Sequence, residues 1–170
     1  ASSVTNSSSY TWSCSGSNGG TTASCSAAKT VVVTTASGLS GSYYPNITLT
    51  GTPVLTRTEA VAFDWGQGSP ASGIVGTDLY SVRWTGYVTI PTTGTYQFQT
   101  RSDDGVRLYI NNALVIDNWT NHGDTADTSN GVTLTAGQSV PVVLEYFEQA
   151  GGALIPLTWR TPSTTSFIPI

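Results

Sequence analysis

Thr100-Arg101-Ser102-Asp103-Asp104-Gly105-Val106-Arg107-Leu108-Tyr109-Ile110 is the stretch on which the reading of this chain turns. Tyr96 and Phe98 before it, and Val106, Leu108 and Ile110 within it, recur at every second residue. That is the spacing of a strand with one face in a core. Two aspartates and a glycine therefore fall in a connection at a strand end, not inside a ladder. The residues alone leave two readings of that connection open. Asp-Gly is among the commonest hairpin turn pairs. Paired carboxylates on a rigid loop also suit calcium, which takes about six to eight oxygen ligands and accepts carboxylates, carbonyls, waters and ligand hydroxyls together.

Working outward, Tyr80, Val82, Trp84, Gly86, Val88 and Ile90 alternate with Ser81, Arg83, Thr85, Tyr87 and Thr89, and Pro91-Thr92-Thr93-Gly94 turns the chain into Thr95 to Thr100. Asn111-Asn112 is the expected hairpin turn before Leu114-Val115-Ile116, because Asn tolerates positive φ. Val132 and Leu134 precede a turn at Ala136-Gly137-Gln138, a long strand runs from Val140 to Phe147, and Gly151-Gly152 separates it from Leu154 to Trp159. No segment has a helical period. Short strands punctuated in this way predict an all-β fold, a sandwich of antiparallel strands.

Residues 1–37 have a different texture, rich in Ser, Thr and Gly, with a Cys-bounded loop after Tyr10 and Trp12 and a β-branched run at residues 30–35. They read as an N-terminal extension, or the tail of a preceding repeat, ahead of a domain at 38–170. Cys14 and Cys25 are the two cysteines, and the single histidine, His122, is remote from them, which leaves a zinc site short of ligands. A disulfide closing a flexible loop and two reduced thiols remain as alternatives; the first implies an oxidising compartment.

With 170 residues, 38% of them apolar and including five Trp and eight Tyr, the chain can build a core. Only 9% are charged, against about 25% in ordinary soluble domains; this is the profile of an exported β-protein. A net charge of −4 argues against nucleic-acid binding, which needs a basic footprint, and fits a cation-binding surface. No apolar run approaches the ~18 residues of a membrane span, so no membrane insertion is expected. Ala1-Ser2-Ser3 shows no signal-peptide pattern, and the chain reads as one piece of a larger multidomain exported protein.

Six segments come in the order of a known module. They are Gly38-Leu39-Ser40-Gly41-Ser42-Tyr43-Tyr44, Tyr80 to Val88, Gly94-Thr95-Tyr96-Gln97-Phe98, Ser102 to Leu108, Ile116-Asp117-Asn118-Trp119 with His122, and Glu145-Tyr146-Phe147-Glu148-Gln149-Ala150-Gly151-Gly152-Ala153. On these the chain resembles the protective-antigen-fourteen (PA-fourteen) domain family, a β-sandwich module of adhesins, flocculins, glycosidases and toxins. Tyr10 to Ala27 resembles, more weakly, the terminal hairpin of immunoglobulin-like repeats in bacterial surface proteins. The first resemblance implies that Asp103 and Asp104 are joined by a cis peptide and bind Ca2+ from one loop. It implies a second loop, Gln149 to Ala153, in which Gln149 gives a side-chain oxygen and Gly151 and Ala153 give main-chain carbonyls. Gln149 departs from the shorter Asn of the yeast members. Two hydroxyls of a sugar would complete the shell, next to Asp103, Asp104, Gln149 and Ala150.

The loop Asp117 to Asp124 has two readings. Trp119 can stack on a sugar ring while Asn118 or His122 binds its hydroxyls, or Trp119 can pack in the core while His122 satisfies a nearby carbonyl. Asp124 and Asp127 read as solvated loop acids. A glycosidase would need two carboxyls across a substrate, and Asp103 with Glu145 or Glu148 is the nearest candidate pair, but nothing in the sequence requires it; an enzyme is not expected. The expectation is a calcium-dependent lectin module of an extracellular, cell-surface adhesin, attaching cells to cell-surface glycans or polysaccharides of fucose, glucose or mannose type, with a role in biofilm. A non-binding spacer, or a targeting appendage of a glycoside hydrolase, is the alternative.

Overall fold

The computed structural model describes residues 9–14, 21, 23–28 and 38–170. The chain divides into two units, Ala1–Thr35 and Ala36–Ile170. In the first, β1 (Ser9–Cys14) and β2 (Ala23–Ala28) form an antiparallel hairpin, as expected. Its register sets Trp12 opposite Cys25 and Cys14 opposite Ala23. The cysteine side chains lie outside the described residues, and with them the expected disulfide; so does the run at 30–35.

The second unit continues with β3 (Leu39–Tyr44), β4 (Leu55–Glu59), β5 (Ala62–Gly66), β6 (Tyr80–Thr89), β7 (Gly94–Ser102), β8 (Val106–Ile110) and β9 (Ala113–Asn118). It ends with β10 (Thr125–Thr128), β11 (Val132–Leu134), β12 (Ser139–Glu148), β13 (Ala153–Arg160) and β14 (Ile168–Pro169). One sheet runs β4-β3-β6-β12-β8-β9; the other runs β10-β7-β13-β14, with β11 on β7 and β5 on β13. All pairs are antiparallel, and the unit is the expected β-sandwich.

The period-2 pattern decides which faces meet. Val82, Trp84, Leu108, Ile110, Leu144 and Tyr146 of one sheet are fully buried, as are Tyr96, Phe98 and Ile155 of the other. Removing each such side chain from water contributes roughly 1.5 to 3 kcal/mol. Ser81 breaks the alternation by being buried too. It can be, because its hydroxyl donates to Asn46 O at 2.6 Å and accepts the Leu49 N–H at 3.1 Å, so the Ser81 hydroxyl is not stranded. Asn111 and Asn112 take φ of 52° and 63°, the turn expected from their side chains.

The register places four connections at one end of the sandwich. Glu148 of β12 faces Tyr80 of β6, Val106 of β8 faces Asn118 of β9, Ser102 of β7 faces Thr125 of β10, and Ala153 of β13 faces Gly66 of β5. Residues 67–79, 103–105, 119–124 and 149–152 each pass from one sheet to the other there. The hairpin reading of Asp103-Asp104-Gly105 is thereby excluded. β7 and β8 belong to different sheets, so the segment between them crosses the edge of the core instead of folding a ribbon back on itself.

Candidate metal and ligand site

The crossing connections bring three carboxylates together. Asp104 is 2% exposed and Glu148 is 0% exposed, while Asp103 is half-buried. One oxygen from each of the three lies within 4.8 Å of the others. The Asp103–Asp104 peptide is cis, as the family resemblance implied.

Each acid has a different framework. Asp104 Oδ1 accepts the His122 N–H at 3.0 Å and Oδ2 accepts the Gln149 N–H at 2.8 Å, so one side chain holds three crossing loops. The main chain of Asp103 exchanges two hydrogen bonds of 3.1 Å with Leu154, and its carbonyl also accepts the Tyr146 hydroxyl. Glu148 Oε2 accepts the same hydroxyl at 3.1 Å, and Oε1 has no partner among the described residues. Burial, reinforced by the Asp104 charge, pushes the Glu148 carboxyl up to about 8. Burial and then the Asp104 charge raise Asp103 as well. Negative charge packed this closely away from water is relieved by a proton or by a cation.

The donor chemistry fits a hard cation. All three side chains offer oxygen, and a buried carboxylate oxygen without a donor is the kind of atom a native fold leaves open only for a reason. The 149–152 loop lies against the cluster: a Cβ added at Gly152 would come 3.2 Å from Asp103 Oδ2. Gly151 has φ of 109°, a backbone that favours glycine. Gln149, Ala150 and Gly151 are exposed, and buried Ala153 opens β13. Gln149 meets the cluster through its main-chain N–H.

Trp119 is half-buried. Its ring meets Phe147 edge-on at 4.8 Å, and the Arg107 guanidinium stacks over it at 4.1 Å. His122 touches the cluster by its backbone; its ring Nδ1 lies 2.9 Å from the Gly123 carbonyl, and Nε2 is buried without a partner among the described residues. Glu145 is engaged elsewhere, accepting from Arg83 and Arg107 at 2.7 to 2.8 Å. Asp124 is an exposed loop acid, as expected, whereas Asp127 is half-buried on a strand. Asp124 pairs with Arg101, and Asp127 lies on β10 and accepts from Asn118 Nδ2 at 3.0 Å.

Sequence reasoning did not give Glu148 a place in the metal site. The signal was present. Val140, Val142, Leu144 and Tyr146 fix the inward parity of β12, and Glu148 continues it, so its carboxylate had to face the interior; that it meets the paired aspartates there is set by the long-range pairing of the strands. The 67–79 connection was also passed over, although its Asp78 Oδ1 accepts the Gly151 N–H at 3.1 Å.

The second unit is thus a two-sheet β-sandwich module with an acidic oxygen cluster among its crossing loops. The chain belongs to the PA14 domain family, which it matches over residues 35–170. It is 39% identical to the anti-sigma-I factor RsgI3 of Acetivibrio thermocellus over 129 residues, covering 76% of this chain and 20% of that protein. A solved anti-sigma factor domain-containing protein from Clostridium clariflavum is 39% identical, with a TM-score of 0.70 over 78% of this chain and 45% of that one. The PA14 sugar-binding domain from an RTX adhesin shares the fold, at 21% identity and a TM-score of 0.64, over 78% of this chain and 94% of that domain. The chain thus spans about a fifth of the curated relative and under half of the C. clariflavum chain.

Proposed function

We propose that the domain binds calcium through Asp103, Asp104 and Glu148, with the Gln149–Ala153 loop adding oxygens from Gly151, Ala153 and the Gln149 side chain, and recognises a sugar through that ion. The observation that carries the reading is a buried Glu148 whose Oε1 has no partner among the described residues and whose carboxylate has an oxygen within 4.8 Å of one from each of Asp103 and Asp104. When bound, calcium supplies open positions for two vicinal hydroxyls of a neutral sugar. The chain's own residues hold the charge, fix the loops and leave Gln149 and Ala150 exposed beside the cluster. Trp119 and His122 act as framework in this reading, since the Arg107 stack and the Phe147 contact already engage the indole.

The test is a glycan array and calorimetry in calcium and again in chelator. Binding of fucose-, glucose- or mannose-type sugars in calcium alone supports the reading; binding unaffected by chelator overturns it.

The setting is an extracellular one, and the relatives divide it into two readings. The adhesin domain shares the fold, while the proteins at 39% identity are anti-sigma factor proteins. That identity favours glycan sensing within an anti-sigma-type protein over attachment of cells or biofilm formation. Deleting the gene separates the two: sensing predicts altered transcription with attachment intact, and adhesion predicts the reverse.

A further inference from the structure

Asp78 is an exposed carboxylate in the 67–79 connection, outside the three-carboxylate cluster, yet it touches the loop on which the calcium reading depends. Its Oδ1 accepts the Gly151 N–H at 3.1 Å across 73 residues of sequence, and its Oδ2 accepts from Thr77 Oγ1 at 3.2 Å. The two loops leave adjacent strands at the paired positions Tyr80 and Glu148, so the bond closes the gap just beyond the last rung of the β6–β12 ladder. Leu79, between Asp78 and that rung, has φ of 58° while 61% exposed. A bulky residue adopts this conformation only where its surroundings require it, and here it joins Asp78 to the start of β6.

The other restraint on the loop's leading end is the Gln149 N–H bond to Asp104. Between Gln149 and the start of β13 the segment carries two consecutive glycines, and its exposed residues have little packing to fix them. The Gly151 carbonyl is part of the proposed ligand set, and the orientation of its neighbouring amide is set by Asp78.

We infer that Asp78 is a positioning residue for calcium: by accepting the Gly151 N–H it fixes the arc of the Gln149–Ala153 loop so that its oxygens converge with Asp103, Asp104 and Glu148. The inference rests on the calcium reading above. It assigns Asp78 a hydrogen-bond role, as distinct from adding one more negative charge near the ion.

The test compares wild type, Asp78→Ala and Asp78→Asn by calcium calorimetry, with thermal melting to confirm folding and with exchange of the Gly151 amide as a direct readout of the bond. Asn keeps an acceptor and loses the charge. Alanine should weaken calcium binding about tenfold or more, the usual scale for residues that orient ligands, and speed exchange at Gly151; asparagine should restore most of both. Wild-type affinity in Asp78→Ala overturns the inference while leaving the calcium reading intact. Equal weakening in both variants also overturns it, because charge would then be the operative property. A wild-type protein that takes up no calcium overturns the calcium reading and this inference with it.

Discussion

The Gln149 N–H donates to Asp104 Oδ2 at 2.8 Å, joining the β12–β13 connection to the β7–β8 connection across 45 residues of sequence. Both connections cross between the sheets at the same end of the sandwich. Asp104 also receives the His122 N–H, so one buried carboxylate is both a candidate metal ligand and the fastener of three loops.

Asp104→Ala should therefore lose calcium binding and stability together. Two backbone N–H groups would lose a charged acceptor, each such bond contributing about 1.5 to 3 kcal/mol. Calorimetry and thermal melting without metal measure the two effects. Unchanged calcium binding in the variant would sink the site assignment.

Without metal, the domain should become less stable as pH rises from about 5 to 8. Glu148 has a folded-state pKa lifted to about 8 from an ordinary 4.5. Below the lower value both states hold the proton. Between the two values folding has to take up a proton, and this becomes less favourable as pH rises. Melting in chelator should fall by a few degrees across that window. Glu148→Gln should flatten the dependence and weaken calcium binding, whereas added calcium should stabilise the wild type most at the alkaline end.

Gly105→Ala should destabilise the crossing itself. A Cβ there would sit 2.2 Å from Phe147 Cε1, and Phe147 is the ring against which Trp119 packs. Overpacking of this kind costs about 1 to 3 kcal/mol, read as a lower Tm with weakened calcium binding. A variant as stable as wild type would show that Phe147 can move aside.

For the ligand, sugars with an unhindered vicinal diol should bind at about −4 to −6 kcal/mol, in the range from millimolar to tens of micromolar. Removing either hydroxyl should abolish most of it. Moderate salt should have little effect, since direct coordination is not screened as surface charge is. Titration of fucose, glucose and mannose with their deoxy analogues checks this.

Deleting residues 1–37 should leave sugar binding intact, because every residue of the candidate site lies in the second unit. Intact mass before and after reduction tests the proposed Cys14–Cys25 bond separately. A shortened protein that fails to fold would move the domain boundary.

The sequence by itself determined the fold class and the paired acids. Two-residue periodicity in Tyr80 to Ile90 and Val140 to Phe147 is a local property, imposed by the pleat of a strand, and Asn111-Asn112 carries its turn chemistry in its own side chains. The six ordered segments also pointed to the family that the match over residues 35–170 establishes. Tertiary structure decided which strands share a sheet, and hence that Asp103-Asp104-Gly105 is a crossing and not a hairpin. Only long-range pairing could set Glu148 beside Tyr80 and Asp78 within reach of Gly151. A carboxylate near the end of a strand looks the same in sequence whether it meets Arg83 and Arg107, as Glu145 does, or two aspartates, as Glu148 does. What separates them is the face of β12 on which each falls and the loops that close over that end of the sandwich.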